Sequence, residues 1–357
     1  MLQRFDSITD ISPEYREAIL DASSGNPFIA PSWFLLFERY LLESKERPRY
    51  YLLLDTDKKP QAFLALKLSG AGKRQADKLR PLSNFYSGHY DLLTFPGTAP
   101  SAAIDGVLSS LSAVEGRCWQ LELKPLLRNS PTWAPLDLGL RRYGWYTEPY
   151  FCHGNWILPS AEGGFEAYWE RRPSRLKNTF RRRRNRMQTD LGYDVEIVQC
   201  AGARLELGLK AFTRLYSLSW KRKEPHPQFI AEWCRELAGE GRLRLGILFA
   251  GAHIVAAQIW AVSGSKAYIF KLAHDPGFNH YSPGTLLTHA LMEHVLDIDR
   301  VHEVDFLTGD DSYKQDWMTL RREQWGIRAY RINSLRGALA TLSCRLRKGF
   351  RKRLKHG

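Results

Sequence analysis

The chain has 357 residues, 44% of them hydrophobic and 12% aromatic. That composition excludes a disordered polymer and suits two globular domains or one large one. The net charge of +14 is carried by two segments. Nine Lys and Arg lie between Arg171 and Arg186 without an acid, seven more lie between Arg345 and Lys355, and the remainder is close to neutral, so any polyanion is expected to meet those two stretches.

Residues 1–30 lack a basic start followed by an apolar run, and Asp6, Asp10, Glu14 and Glu17 would spoil a signal sequence. The most apolar stretch, 243–262, is broken by Arg244, His253 and Gln258 and reads as two buried strands. A soluble, cytoplasmic protein is expected. Cys118, Cys152, Cys200, Cys234 and Cys344 are scattered and odd in number, which predicts reduced thiols and no zinc site. The histidines show no H-E-x-x-H spacing, and no metal is expected.

In chain order, 13–22 and 32–42 have helical character, with Ser12 and Pro31 as starts. Residues 49–54 and 61–68 read as strands joined by a turn at 57–60. A helix at 102–114, a strand at 118–123, a helix at 131–143 and an extended aromatic stretch at 145–158 follow. A long basic helix spans 173–189, then a strand at 193–198 and helices at 205–220 and 228–237. Strands at 243–249, 253–262 and 267–273 are separated by turns bearing Gly251 and Gly264. A helix over 283–297, strands at 303–307 and 324–332, and a basic helical tail complete the pattern. Both halves run helices, hairpin, strand, helix, strand, as two copies of one α/β unit would. The predicted division is 1–158, 159–333 and a tail at 334–357.

Three segments are candidates for chemistry. At 275–285 a strand ends, a polar loop follows, and a helix starts at Pro283 with Ser282 as its cap. Free amides at Gly284, Thr285 and Leu286, with the positive helix end, suit a phosphate; an ordinary capped helix is the alternative. At 303–314, Glu303 and Asp305 share one face of a strand that breaks at Gly309. Half-buried carboxylates at an apolar wall suit a general base; a solvated strand end is the alternative. Third, the basic helix carries more positive charge than a bare solvated face favours, and a nucleotide tail, an anionic lipid or RNA would relieve it. Only Phe180 interleaves with the arginines, which argues against a base-stacking platform.

Beyond Asn333, Leu335, Leu339, Leu342, Leu346, Phe350 and Leu354 recur every three or four residues among basic ones. This amphipathic tail either lies on an anionic membrane surface, making the protein peripheral at the inner membrane, or docks its stripe on the protein's own core.

Read as an ordered series, several stretches resemble one family. They are 176–186 and 212–221, Ala256-Ala257-Gln258, 271–275, 281–287, Asp305-Phe306-Leu307-Thr308-Gly309 and 313–317. The series is similar to the CelD-like, FemAB-related branch of the GNAT acyltransferases, and the first half, without comparable motifs, resembles a degenerate second copy by analogy with tandem GNAT proteins. The resemblance implies a mixed α/β sheet in two tandem GNAT-like units. It also implies splayed central strands with coenzyme A in the gap, and a pyrophosphate on the helix that begins at Pro283. The Q/R-x-x-G-x-G/A loop of ordinary GNAT enzymes is replaced here by Tyr281-Ser282-Pro283-Gly284.

The implied reaction moves an acetyl or other acyl group from acyl-CoA to an acceptor amine or hydroxyl, in envelope or exopolysaccharide metabolism, without a metal. Asp305, with Glu303, would be base or acceptor anchor. Lys314 or Tyr313 would stabilise charge or protonate the leaving thiolate. Ser282, Gly284 and Thr285 would hold phosphates, Tyr281 would help bind the donor, and Lys271 and Asp275 would line the mouth. Two other readings stay open: an aminoacyl-tRNA-dependent transferase of FemAB type, and a non-catalytic GNAT-like scaffold.

Overall fold

Glycine turns set the long hairpins of the second half. Gly251 and Gly264 take φ of +57° and +54°, backbone that side-chain-bearing residues adopt at a cost. In the computed structural model, which describes residues 1–23, 25–69, 78–159, 163–219 and 223–353 with side chains through Arg347, the chain forms two compact units. One comprises 1–24, 28–153 and 323–357; the other comprises 25–27 and 154–322.

The first unit opens with β1 (Leu2–Phe5), α1 (Pro13–Ala22), α2 (Pro31–Tyr40), β2 (Glu46–Leu54) and β3 (Pro60–Ser69). Then come β4 (Lys78–Pro81), β5 (Leu93–Thr94), α3 (Pro100–Val114), β6 (Gln120–Leu127) and α4 (Trp133–Arg142). Next, β7 (Trp145–Pro159) runs from the first unit into the second.

The second unit continues with α5 (Gly164–Glu170), α6 (Ser174–Asp190), β8 (Tyr193–Val198), α7 (Ala203–Leu218) and α8 (Pro227–Gly239). It adds β9 (Leu243–Ala250), β10 (His253–Ser263), β11 (Lys266–His274), α9 (Pro283–Glu293), β12 (Glu303–Thr308) and α10 (Lys314–Trp317). Last in the chain are β13 (Leu320–Arg331) and α11 (Leu335–Arg353).

In the first unit the strand order is β1-β2-β3-β4-β6-β13, with β5 beside β3. Its core gathers Tyr51, Leu64, Val107, Leu121, Trp145 and Ile327. In the second unit the order is β7-β12-β11-β10-β9-β8, and β9, β10 and β11 are antiparallel neighbours as their alternation predicts. Helix α9 lies across β9, where Gly246 permits close approach: a Cβ there would sit 2.8 Å from Leu291 Cδ1. Trp260, Leu286, Leu287, Leu291 and Val304 form the core beneath it.

The mixed α/β class and the two units agree with expectation. The helix from Pro283 gives way to a π turn (His294–Ile298). The unit boundary falls between His153 and Gly154, not after Leu158. The strand expected at 324–332 joins the first unit because β13 pairs with β6, Gln324 opposite Leu127 and Tyr330 opposite Gln120. α11 and the segment 334–357 go with it. Trp220 and Lys221 of the family-like series, and Leu354 of the tail stripe, lie outside the described residues.

Candidate acyl-transfer site

β11 and β12 run parallel but pair over only three rungs, Lys266–Glu303, Ala267–Val304 and Tyr268–Asp305. Beyond them β11 continues to His274 and β12 to Thr308. No described strand bonds the facing edges of these freed arms. Parallel strands that part inside a sheet leave a cleft between them at the carboxyl end of the strands.

The loop after the freed arm of β11 leads into α9. Asp275 Oδ1 accepts from the Gly277 amide at 2.9 Å, so Asp275 caps a short 3₁₀ turn in that loop. Ser282 is left-handed, φ 54°, and its carbonyl accepts from the amides of Thr285 (3.0 Å) and Leu286 (3.2 Å). Two of the three amides expected to be free are therefore engaged; of the three, Gly284's remains for a phosphate. A Cβ on Gly284 would meet only His274 Nδ1 at 3.8 Å, which is ordinary contact, so the helix start faces open space.

Buried Gln258 of β10 ties that start in place. Its Nε2 donates to the Gly284 carbonyl at 3.1 Å and to Thr288 Oγ1 at 2.9 Å, and its Oε1 accepts from Trp260 Nε1 at 2.9 Å. A fully satisfied buried amide fixes one orientation.

The basic helix flanks the same loop. Arg183 donates to the His280 carbonyl, Arg186 lies 5.4 Å over the Tyr281 ring, and Tyr281 donates to Asp190 at 2.9 Å. Tyr281 is thus a buried support. Arg181, Arg182, Arg184 and Arg186 stay exposed. Lys271, on the freed arm, donates to Glu224 at 2.6 Å beneath the Tyr216 ring. Burial pulls its ammonium below the usual lysine range, with Glu224 opposing.

At the vertex stands Asp305, which has no exposed surface. Its Oδ1 accepts from Asn155 Nδ2 at 2.7 Å and from the Leu307 amide at 2.6 Å. Its Oδ2 takes Arg322, whose Nε reaches Asn155 Oδ1 at 2.5 Å. Asn155 also donates to the Leu307 carbonyl at 2.9 Å. These bonds grip a bulge in which pairing with β7 skips from Asp305–Ile157 to Thr308–Asn155. There Leu307 adopts φ 52°, a strained value for a leucine. The half-buried carboxylate at an apolar wall is not what stands here; Asp305 is a saturated anion in a polar knot. Glu303 sits at the closed end, 3.5 Å from Lys266 and 3.4 Å from Arg322.

Lys314 is 4% exposed, and its ammonium donates to the carbonyls of Thr308 (2.7 Å), Phe306 (3.3 Å) and Gly309 (3.4 Å). Burial holds it below the usual lysine range. Tyr313 is 45% exposed, with its ring edge-on to Phe306 at 5.6 Å. Burial and Asp311 push its phenol up to about 12, so the hydroxyl is neutral and able to donate. The structure thus groups Asp305, Tyr313 and Lys314 around β12 and Ser282, Gly284 and Thr285 at the start of α9, with Glu303 at the closed end of the parted strands. Sequence reasoning missed Asn155, Leu307 and Arg322. Asn155, a polar residue inside an aromatic strand, was the one available signal.

Residues 174–315 match the family model described as an acetyltransferase (GNAT) domain. No curated protein matches the chain at a significant level. Among solved structures, FemX is similar at 12% identity, TM-score 0.66, over 95% of this chain and 100% of that one. The C-terminal domain of a putative lysylphosphatidylglycerol synthetase from Agrobacterium fabrum is similar at 11% identity, TM-score 0.55, over 93% and 96%. L-PGS from Bacillus licheniformis is similar at 13% identity, TM-score 0.53, over 94% and 96%. The matched stretch spans α6, α9 and both parted strands, and residues 174–315 are therefore an acetyltransferase (GNAT) domain, in a chain whose fold is shared with FemX.

Proposed function

We propose that the chain transfers an acyl group from acyl-CoA to an acceptor amine at the parting of β11 and β12. The observation that carries this reading is the loss of pairing after Tyr268–Asp305, with α9 starting at the end of the freed arm. The donor lies between the parted strands, its phosphates at the Gly284 amide and the positive end of α9, with the basic helix α6 flanking the loop before it. The amine nitrogen attacks the thioester carbonyl. The C–N bond forms, the C–S bond breaks, and Tyr313 gives its phenolic proton to the departing sulfur. The amine's surplus proton then restores Tyr313 through solvent, so proton count and charge balance.

Asp305 is assigned to positioning. Its oxygens are occupied, and through Leu307 it shapes the arm that carries the reacting groups. Lys314 braces the same arm by its carbonyls.

A second reading, transfer from aminoacyl-tRNA, is favoured by one observation: α6 exposes Arg181, Arg182, Arg184 and Arg186, and its Arg183 and Arg186 reach the loop that precedes α9. A thermal-shift screen separates the two. A donor at a hundred times its Kd should stabilise by about 2.7 kcal/mol. Acetyl-CoA or a longer acyl-CoA should raise the Tm of the wild type and not of Gly284→Glu, which sets an acid where the phosphate belongs. If only tRNA raises the Tm, the second reading replaces the first. If Gly284→Glu responds to acyl-CoA as the wild type does, the phosphate site lies elsewhere.

A further inference from the structure

α11 is docked by its small, polar face. Its buried residues are Gly337, Thr341 and Cys344. Gly337 allows the closest approach, since a Cβ there would lie 2.0 Å from the Arg331 carbonyl oxygen, and Cys344 Sγ reaches Glu148 at 3.3 Å. Leu335, Leu339, Leu342 and Leu346 are 79%, 59%, 55% and 55% exposed. At about 100° per residue, these leucines fall within one arc of roughly 60°, on the side away from the docked residues. Docking of the leucine stripe on the protein's own core is thereby corrected: the helix is held by its other side. Arg336 and Arg347 rim the stripe on one flank and Arg345 on the other. From Leu335 onward the chain has eight Lys and Arg and no Asp or Glu.

We infer that α11 lies in the plane of an anionic lipid surface, with its leucines among the upper acyl chains and its arginines at the headgroups. Charge decides between occupants. A second copy of the same face would bring two uncompensated basic runs together, which repel. A neutral apolar partner would cover the leucines and leave the arginines unanswered. An anionic bilayer answers both, and long basic side chains at the rim of an apolar stripe reach headgroups while their stems stay in the apolar layer. No described helix is long and apolar enough to cross a membrane, and α11 is apolar on one side only. This inference is independent of the acyl-transfer reading.

The test is co-sedimentation of the full chain with vesicles of phosphatidylcholine alone and of phosphatidylcholine mixed with phosphatidylglycerol. Binding to the mixed vesicles should exceed binding to the neutral ones by about tenfold or more at low salt and fall as salt rises. The double substitution Leu339→Glu with Leu342→Glu, at two exposed positions, should lower binding by about tenfold or more with the Tm unchanged. Leu339→Ser with Leu342→Ser gives the same readout without added charge. A full-length protein that ignores anionic vesicles at low salt overturns the proposal. So does a double variant that binds as the wild type does, and so does a dimer in sedimentation velocity that the leucine substitutions abolish.

Discussion

Arg322 closes an ion pair on Asp305, a carboxylate with no exposed surface, and the same guanidinium holds Asn155 in place to bond Leu307. Charge, amide and strained backbone form one unit, so removing one member weakens the hold on the others. Asp305→Asn keeps the shape but turns an acceptor toward Arg322 into a donor; breaking a buried pair costs about 3 kcal/mol or more, of which Arg322 recovers part because it keeps Glu303 and Asn155. Urea unfolding should show that loss. A variant as stable as the wild type, but without turnover, would return Asp305 to the role of base.

The left-handed Leu307 offers a test of strain by sign. At ordinary positions glycine is less stable than alanine by about 0.5–1 kcal/mol. At φ 52° the order should reverse, because alanine keeps the Cβ clash and glycine has none. Both variants should lie about 2–4 kcal/mol below the wild type, since the leucine is buried. Leu307→Gly should unfold at higher urea than Leu307→Ala. The reverse order would mean the bulge relaxes at no cost.

His289 of α9 stacks on Phe180 at 3.6 Å, with Trp169 at 4.5 Å and Phe165 at 4.7 Å. Burial, and then Arg184, lower its pKa to about 4. The folded state thus favours the neutral ring. The stabilisation is fully present above the ordinary value near 6.5 and is lost as pH falls through that value toward 4. The loss should be on the order of 3 kcal/mol. His289→Phe should remove it. Asp91 in the first unit, pushed up to about 6 by burial, titrates in part of the same window with the opposite sign. The measurement is therefore the difference between variant and wild type in stability against pH, and a constant difference from pH 7 to pH 4 would count against a neutral buried ring.

Periodicity reached most of this fold because period and burial share a cause. The strands at 243–274 and the basic helix fell within a few residues of where their alternation placed them, as each faces a single apolar layer. The short β4 and β5 escaped, having too few residues to show a period. The swap of β13 into the first unit escaped as well, because strand pairing over two hundred residues of separation leaves no local mark. At the site, Ser282-Pro283-Gly284 was legible as a helix start, but the use of the Thr285 amide by Ser282 depends on a left-handed backbone at a serine, which its identity does not announce. Asn155 reaches Asp305 from 150 residues away and Arg322 from 17, across the next helix, and nothing beside Asp305 in sequence foretells them. The leucine stripe of α11 was legible; which side faces the core was not, since Gly337, Thr341 and Cys344 are weak apolar signals.

Tyr313 and Lys314 are neighbours in sequence with opposite assignments, and one pair of substitutions separates them. Tyr313→Phe keeps the ring on Phe306 and removes the one group assigned to proton transfer. Stability should stay within about 0.5 kcal/mol and acyl-CoA affinity should not change. Turnover, followed as thiol release, should fall by about a hundredfold. Lys314→Met removes the ammonium that three strand-end carbonyls share. Charged hydrogen bonds of that kind contribute about 1.5–3 kcal/mol each before the cost of burying the charge is set against them, so a net loss of about 2 kcal/mol is expected. Activity should then fall with the disordering of the β12 end, and it should recover in part at lower temperature, where the arm is better held. The phenylalanine variant should not recover. If Lys314→Met is as stable as the wild type and its turnover alone collapses, Lys314 acts on the leaving group and the two assignments exchange.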